Sequence, residues 1–150
     1  MDPRIKALWI GRLRSPDVEE QGSNQLGYRV GGVEMRCCLG VLCDIAVEEG
    51  VIGRKEVSDP QGDFVSYMYG DTDDPDAPTD IRQGFNYTLA QHYLPVQVRT
   101  WAGFDSSEYA PEVETPEGVT GRSDTVQLSA LNDSHDLPFG KIADAIERSL

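Results

Sequence analysis

Apolar positions recur at helical spacing in four stretches of the chain. Ile5, Leu8, Trp9 and Leu13 share one face of a helix that Asp2 can cap and Pro3 can open, because the first helical position needs no N–H. Ser15-Pro16 stops it, since the residue before a proline is pushed out of the helical region. Cys37 to Glu49 reads as a second helix: Leu39, Leu42, Cys43 and Ala46 form one face, and Cys38, Val41 and Ile45 widen it. So broad an apolar surface predicts the buried centre of the fold, closed by Glu48, Glu49 and Gly50. A third helix is expected after Leu94-Pro95, running to Trp101, with Gly103 ending it. Leu137, Phe139, Ile142, Ala143, Ile146 and Leu150 make the clearest stripe, a C-terminal helix for which Ser134 or Asp136 can serve as cap.

Strand signals lie between these helices. Tyr28 to Val30 and Val33 to Arg36 can pair as a hairpin across Gly31-Gly32. Val51-Ile52, Phe64 to Tyr69, Phe85 to Leu89 and Thr125 to Leu128 have strand-like composition. Polar loops are expected at about 70–82, containing the acidic run Asp71 to Asp80, and at about 105–122, rich in Glu, Pro and Gly. No internal repeat is visible. The sum is an α+β fold: one small domain over 1–150, with short antiparallel strands and helices at the N-terminus, centre and C-terminus.

Composition narrows the function classes. A chain of 150 residues, 39% apolar and 26% charged, describes one soluble globular domain. Thirteen Lys plus Arg against 26 Asp plus Glu leave a net charge of -13, which argues against a DNA or RNA polymer as partner. A small anionic ligand held by a local arginine cluster stays possible. The longest apolar run, around Cys37 to Val47, is broken by Asp44, so no membrane helix is expected. Nothing at Met1-Asp2-Pro3-Arg4 predicts a secretion signal, and the expected location is the cytoplasm. Cys37, Cys38 and Cys43 fall within seven residues, a poor disulfide framework, and three reduced, buried thiols are expected.

Chemistry-bearing patterns are sparse. Zinc knuckles use spaced ligand pairs, whereas Cys37 and Cys38 are adjacent and His92 and His135 are isolated; no metal is expected. The front of the acidic loop, with Asp71, Asp73 and Asp76, resembles a calcium loop, but Asp76 and Arg82 stand where an EF-hand needs glycine and glutamate. The chain has no G-x-S-x-G, H-E-x-x-H or P-loop pattern, so no catalytic residue and no cofactor are expected. Two features suit a ligand. Aromatics lie in the polar segments: Tyr28, Tyr67, Tyr69, Phe85, Tyr87, Tyr93, Phe104 and Tyr109. Arginines Arg29, Arg36, Arg82, Arg99, Arg122 and Arg148 are scattered through the acidic chain. An aromatic with an arginine can clamp a nucleobase, and a second arginine can take a phosphate, although packing and surface pairing are the ordinary roles of each alone.

Three blocks occur in a suggestive order. They are Cys37-Cys-Leu-Gly-Val-Leu-Cys-Asp-Ile-Ala46, then Leu94-Pro-Val-Gln-Val-Arg-Thr-Trp-Ala-Gly-Phe104, then Leu128-Ser-Ala-Leu-Asn-Asp133 followed by Phe139-Gly-Lys-Ile-Ala-Asp-Ala-Ile-Glu147. This order resembles a family of small proteins found mostly in bacteriophages and prophages. The layout is similar to the Thoeris anti-defence sponges, which bind a cyclic ADP-ribose-type signal made by bacterial TIR-domain enzymes and sequester it uncleaved at a homo-oligomer interface. The resemblance implies a phage-encoded anti-defence protein in the host bacterial cytoplasm, a homo-oligomer with a small anionic nucleotide as ligand. It implies ligand contacts from Asn132 and Arg148. Residues 110–131 contain no aromatic, so Phe104, Tyr109 or an aromatic of the inserted middle segment takes the stacking role, and Arg122 joins the candidate ligand-binding residues. The alternatives are an acidic interaction module that inhibits a host factor, or a small nucleotide hydrolase.

Overall fold

Asp2 opens the first helix as its side chain predicts. In the computed structural model, which describes residues 1–73, 89–105, 110–120 and 123–150, its carboxylate accepts hydrogen bonds from the Arg4 and Ile5 N–H groups at 2.9 and 3.1 Å. Helix α1 (Pro3–Leu13) buries Ile5, Trp9, Ile10 and Leu13. The expected Leu8 is instead 41% exposed. Leu8 and Ile10 lie about 100° to either side of Trp9 around the helix, and packing takes the Ile10 flank.

Strands β1 (Glu20–Gln21), β2 (Gly27–Val30) and β3 (Val33–Arg36) follow. β2 and β3 form the expected hairpin, with Val30 opposite Val33. Gly31 and Gly32 at the turn have φ of 57° and 80°, the left-handed values that a two-residue type I′ turn requires. β1 pairs with β3 in parallel, the exception in an otherwise antiparallel sheet.

Helix α2 (Cys38–Glu48) is the buried centre: every residue from Cys38 to Ala46 is buried. It sits so close to the chain before β2 that a Cβ at Gly40 would overlap the Leu26 carbonyl oxygen. The Trp9 indole donates to the Cys38 carbonyl at 2.9 Å and ties α1 to its start.

Strands β4 (Gly53–Ser58), β5 (Phe64–Gly70) and β6 (Leu89–Ala90) complete the main sheet, in the order β1-β3-β2-β5-β4 with β6 beside β5. β5 is the strand expected at Phe64. Val51-Ile52, expected as a strand, forms the bend before β4, and the strand itself is the polar stretch that follows. Helix α3 (Val96–Ala102) ends at Gly103 as expected, where the Phe104 N–H closes on the Arg99 carbonyl at 2.9 Å. Strand β7 (Glu112–Glu114) lies inside the segment expected to be loop and pairs with β8 (Thr125–Gln127). Leu128, expected to end that strand, begins a helix, α4 (Leu128–Asp133).

Helix α5 (Phe139–Ser149) carries the predicted stripe, with Phe139, Ile142, Ala143 and Ile146 buried. Its cap differs from expectation. Ser134 closes α4, Asp136 holds a left-handed φ of 48°, and the Phe139 N–H donates to the Gln21 carboxamide oxygen at 3.0 Å. Most of the acidic run and Phe85 to Thr88 lie outside the described residues. The architecture is α+β, with one principal core built from the five helices and one face of the sheet. No helix among the described residues is long and apolar enough to cross a membrane.

Candidate anion-binding face

Alternation along the strands sorts the sheet into two faces. The pairings Arg29 with Glu34 and Val65, Arg54 with Tyr69, and Glu56 with Tyr67 put these side chains on one side, together with Arg36. This side meets α2. Asp44, which interrupts the apolar sequence of α2, is buried and would be costly there without a partner.

Its partners are close. Asp44 Oδ2 accepts from Arg36 Nε at 2.6 Å, and Oδ1 accepts from the Tyr69 hydroxyl at 2.8 Å and from Arg54 Nη1 at 3.3 Å. Arg36 is only 2% exposed; its Nη1 donates to Glu34 Oε2 at 3.1 Å and to the Met35 carbonyl at 2.9 Å. Gly27 makes room for it, because a Cβ there would lie 2.8 Å from Arg36 Cδ. Burial alone would lower the Arg36 pKa, but the charge of Asp44 and the bonds to Asp44 and Glu34 raise it above its ordinary value. The guanidinium is a permanent charge inside the fold.

Tyr67 links this buried pair to solvent. Arg36 and Arg54 lie over its ring at 4.5 and 4.7 Å from the centroid. Its hydroxyl donates to Glu34 Oε1 at 2.6 Å and accepts from Arg29 Nη1 at 3.2 Å. Burial, then the bond to Glu34, pushes the phenol up to about 12. Partial burial pushes the Glu34 carboxyl up, yet the bonds from Tyr67 and Arg36 outweigh it and hold Glu34 below its ordinary value.

At the rim the pairs lengthen. Arg29 reaches Glu34 and Glu56 at 3.3 Å each, and among the described residues Arg54 makes one side-chain hydrogen bond with its five donors. Both rim arginine side chains are 35% exposed. The inner arginine is therefore committed to the fold, while Arg29 and Arg54 present guanidinium donors outward.

The residues implicated by sequence are dispersed. Asn132 on α4 is 1% exposed, and its amide is fully engaged. Its Oδ1 accepts from the Cys38 N–H at 3.2 Å and from Gln21 Nε2 at 3.3 Å; its Nδ2 donates to the Gly22 carbonyl at 2.8 Å and to Asp133 Oδ1 at 2.7 Å. It caps the start of α2 and has no group left to read a base. Arg148 is exposed on the last turn of α5. Phe104 is half-buried edge-on to Trp9, with centroids 6.4 Å apart. Tyr109 and Arg122 lie outside the described residues. The face that is assembled draws Arg29, Arg36, Tyr67 and Tyr69 from the scattered aromatics and arginines. Arg54, Glu34 and Asp44 were missed, and the signal for Asp44 was its place as a lone charge in an apolar helix, which demands a buried cation.

The remaining candidates are quiet. Cys37, Cys38 and Cys43 are free and buried, and burial pushes the Cys37 thiol up to about 12 and the other two well above their ordinary value. Thiols so placed are inert. His92 Nδ1 lies 2.6 Å from the Asn24 carbonyl. Asp71 accepts from the Asp73 N–H at 3.1 Å, a local turn, and no group of three metal-ligating side chains occurs among the described residues. No curated protein and no solved structure matches the chain. Along its whole length, residues 1–150, it does match one family, and the protein thereby belongs to the family described as Domain of unknown function (DUF8296).

Proposed function

We propose that this is a phage-encoded anti-defence protein that binds a small anionic nucleotide signal of the cyclic ADP-ribose type and sequesters it uncleaved. The observation that carries the reading is the half-buried pair Arg29 and Arg54 around Tyr67, where three arginines balance the carboxylates of Glu34, Asp44 and Glu56 on a chain of net charge -13. A phosphate between them gains charge-assisted hydrogen bonds that the long pairs to Glu34 and Glu56 leave unused. A non-cleaving role is supported by the buried, high-pKa thiols, which offer no nucleophile to a ligand on this face. Like the proteins it resembles, the chain is expected to act as a homo-oligomer in the host bacterial cytoplasm, with a solution mass above the 16.5 kDa of one chain. The charge of -13 favours one second reading, an acidic module that inhibits a host protein.

Calorimetry with a cyclic ADP-ribose isomer, followed by denaturation and mass spectrometry of the released molecule, tests the proposal. Saturable binding and an intact ligand are expected. Arg54→Gln and Arg29→Gln should each weaken binding about 10–100-fold, the worth of one charge-assisted hydrogen bond. A hydrolysed product supports the nucleotide hydrolase instead. Unchanged affinity in both variants removes the arginine face from the argument.

A further inference from the structure

A second cleft, of about 410 Å³, opens where the β1 end of the sheet meets the turn between α4 and α5. Its walls include Gln21, Gly22, Tyr28, Met35, Asn132 and Asp136, with no lysine or arginine among the lining residues. Both amide donors are engaged within the protein: Gln21 Nε2 by the Leu137 carbonyl and Asn132 Oδ1, and Asn132 Nδ2 by the Gly22 carbonyl and Asp133. The Asp136 carboxylate makes no hydrogen bond or ion pair among the described residues, and neither does the Tyr28 hydroxyl. The Asp136 carboxylate can only accept, so it calls for donors on the ligand, while the Tyr28 hydroxyl can do either.

The wall is also held in place. Phe64 stacks on Tyr28 with centroids 5.5 Å apart and planes 23° apart. Gly22 lies so near that a Cβ on it would come within 2.9 Å of the Tyr28 ring. Met35, directly across from Tyr28 in the hairpin, adds a soft apolar surface. We infer that this cleft binds the guanidinium group of a small molecule, with its N–H donors on Asp136 and its plane against Tyr28. A guanidinium fits better than an ammonium because it is planar, weakly hydrated and able to stack while donating in its plane. With Asp136 in its wall and no lysine or arginine there, the cleft favours a cation over a phosphate or carboxylate. Tyr28 points away from the face that carries Arg29 and Arg54, so this site is independent of the anion reading.

The test is an NMR titration of the full chain at about 0.15 M salt, where exposed charges are screened beyond about 8 Å. The probes are agmatine and N-carbamoylputrescine, which keeps the ammonium and carries a neutral urea in place of the guanidinium. Saturable shifts at Gly22, Ser23 and Tyr28 are expected with agmatine, with at least tenfold weaker binding of the urea. Asp136→Asn and Tyr28→Leu should each weaken agmatine at least fivefold while core resonances stay in place, and Glu117→Gln, an exposed carboxylate between β7 and β8, should change nothing. Equal binding of the two probes, or an unaffected Asp136→Asn variant, overturns the site. An acetylated, amidated Gly-Arg-Gly peptide distinguishes the source of the group: peptide binding tighter than agmatine overturns the small-molecule assignment.

Discussion

The Asn132 amide satisfies the Cys38 N–H and the Gly22 carbonyl, both in places closed to water. Truncating it leaves those groups without partners at about 1–3 kcal/mol each. Asn132→Ala is therefore expected to lower the melting temperature clearly while leaving anion affinity per folded molecule unchanged; a stable variant that has lost its ligand would falsify this. Asp44 makes the same point for charge. Asp44→Ala removes the buried partner of Arg36 and leaves it only the rim carboxylate of Glu34, which costs up to about 3–5 kcal/mol, and the double variant Arg36→Met with Asp44→Ala should recover much of it because the buried cation is gone. Urea unfolding of the three variants reads this directly.

Among the elements, the β2–β3 hairpin sets the positions of both sites, since Tyr28 and Met35 face one way and Arg29, Glu34 and Arg36 the other. Its turn demands positive φ at two successive residues. Gly31→Asn keeps that conformation accessible and should leave stability within about 0.5 kcal/mol, whereas Gly31→Val should cost roughly 1–2 kcal/mol. Denaturant midpoints separate the two outcomes, and equal losses would show that the turn has rearranged. Gly31-Gly32 between alternating strands was legible because hairpin chemistry is local. β4 was not. Arg54, Lys55 and Glu56 look like a solvated loop until Arg54 is seen beside Asp44 and Tyr67.

For the whole molecule, burial of the three thiols couples stability to pH. Their folded pKa values lie above the ordinary 9.0, so the unfolded chain ionises first as pH rises. Their contribution is fully present below about pH 9 and is lost from there upward, for Cys37 through about 12. Each thiol can remove up to about 1.4 kcal/mol of stability per pH unit in that window. Under reducing conditions, unfolding free energies at pH 7, 9 and 10.5 should be level and then fall, and Cys43→Ala should make the alkaline fall shallower. A flat profile to pH 10.5 would contradict the thiol environments.

Local signals alone determined the helices at Pro3, Cys38, Val96 and Phe139, the Gly31-Gly32 hairpin and the fate of the cysteines. Each follows from spacing, a cap or a turn residue within a few positions. The short β7 and α4 escaped because neither is long enough to show a period; their pairing and burial come from distant partners. Tertiary structure also decided between Leu8 and Ile10, which periodicity leaves equivalent. It moved the cap of α5 to Gln21, 118 positions away, and turned Asn132 from a ligand candidate into a clamp. The arginine face has the same origin. Arg29, Arg36, Arg54, Tyr67 and Asp44 come from four strands of the sheet and the central helix, and their separation in sequence carries no record of the distances at which their charges meet.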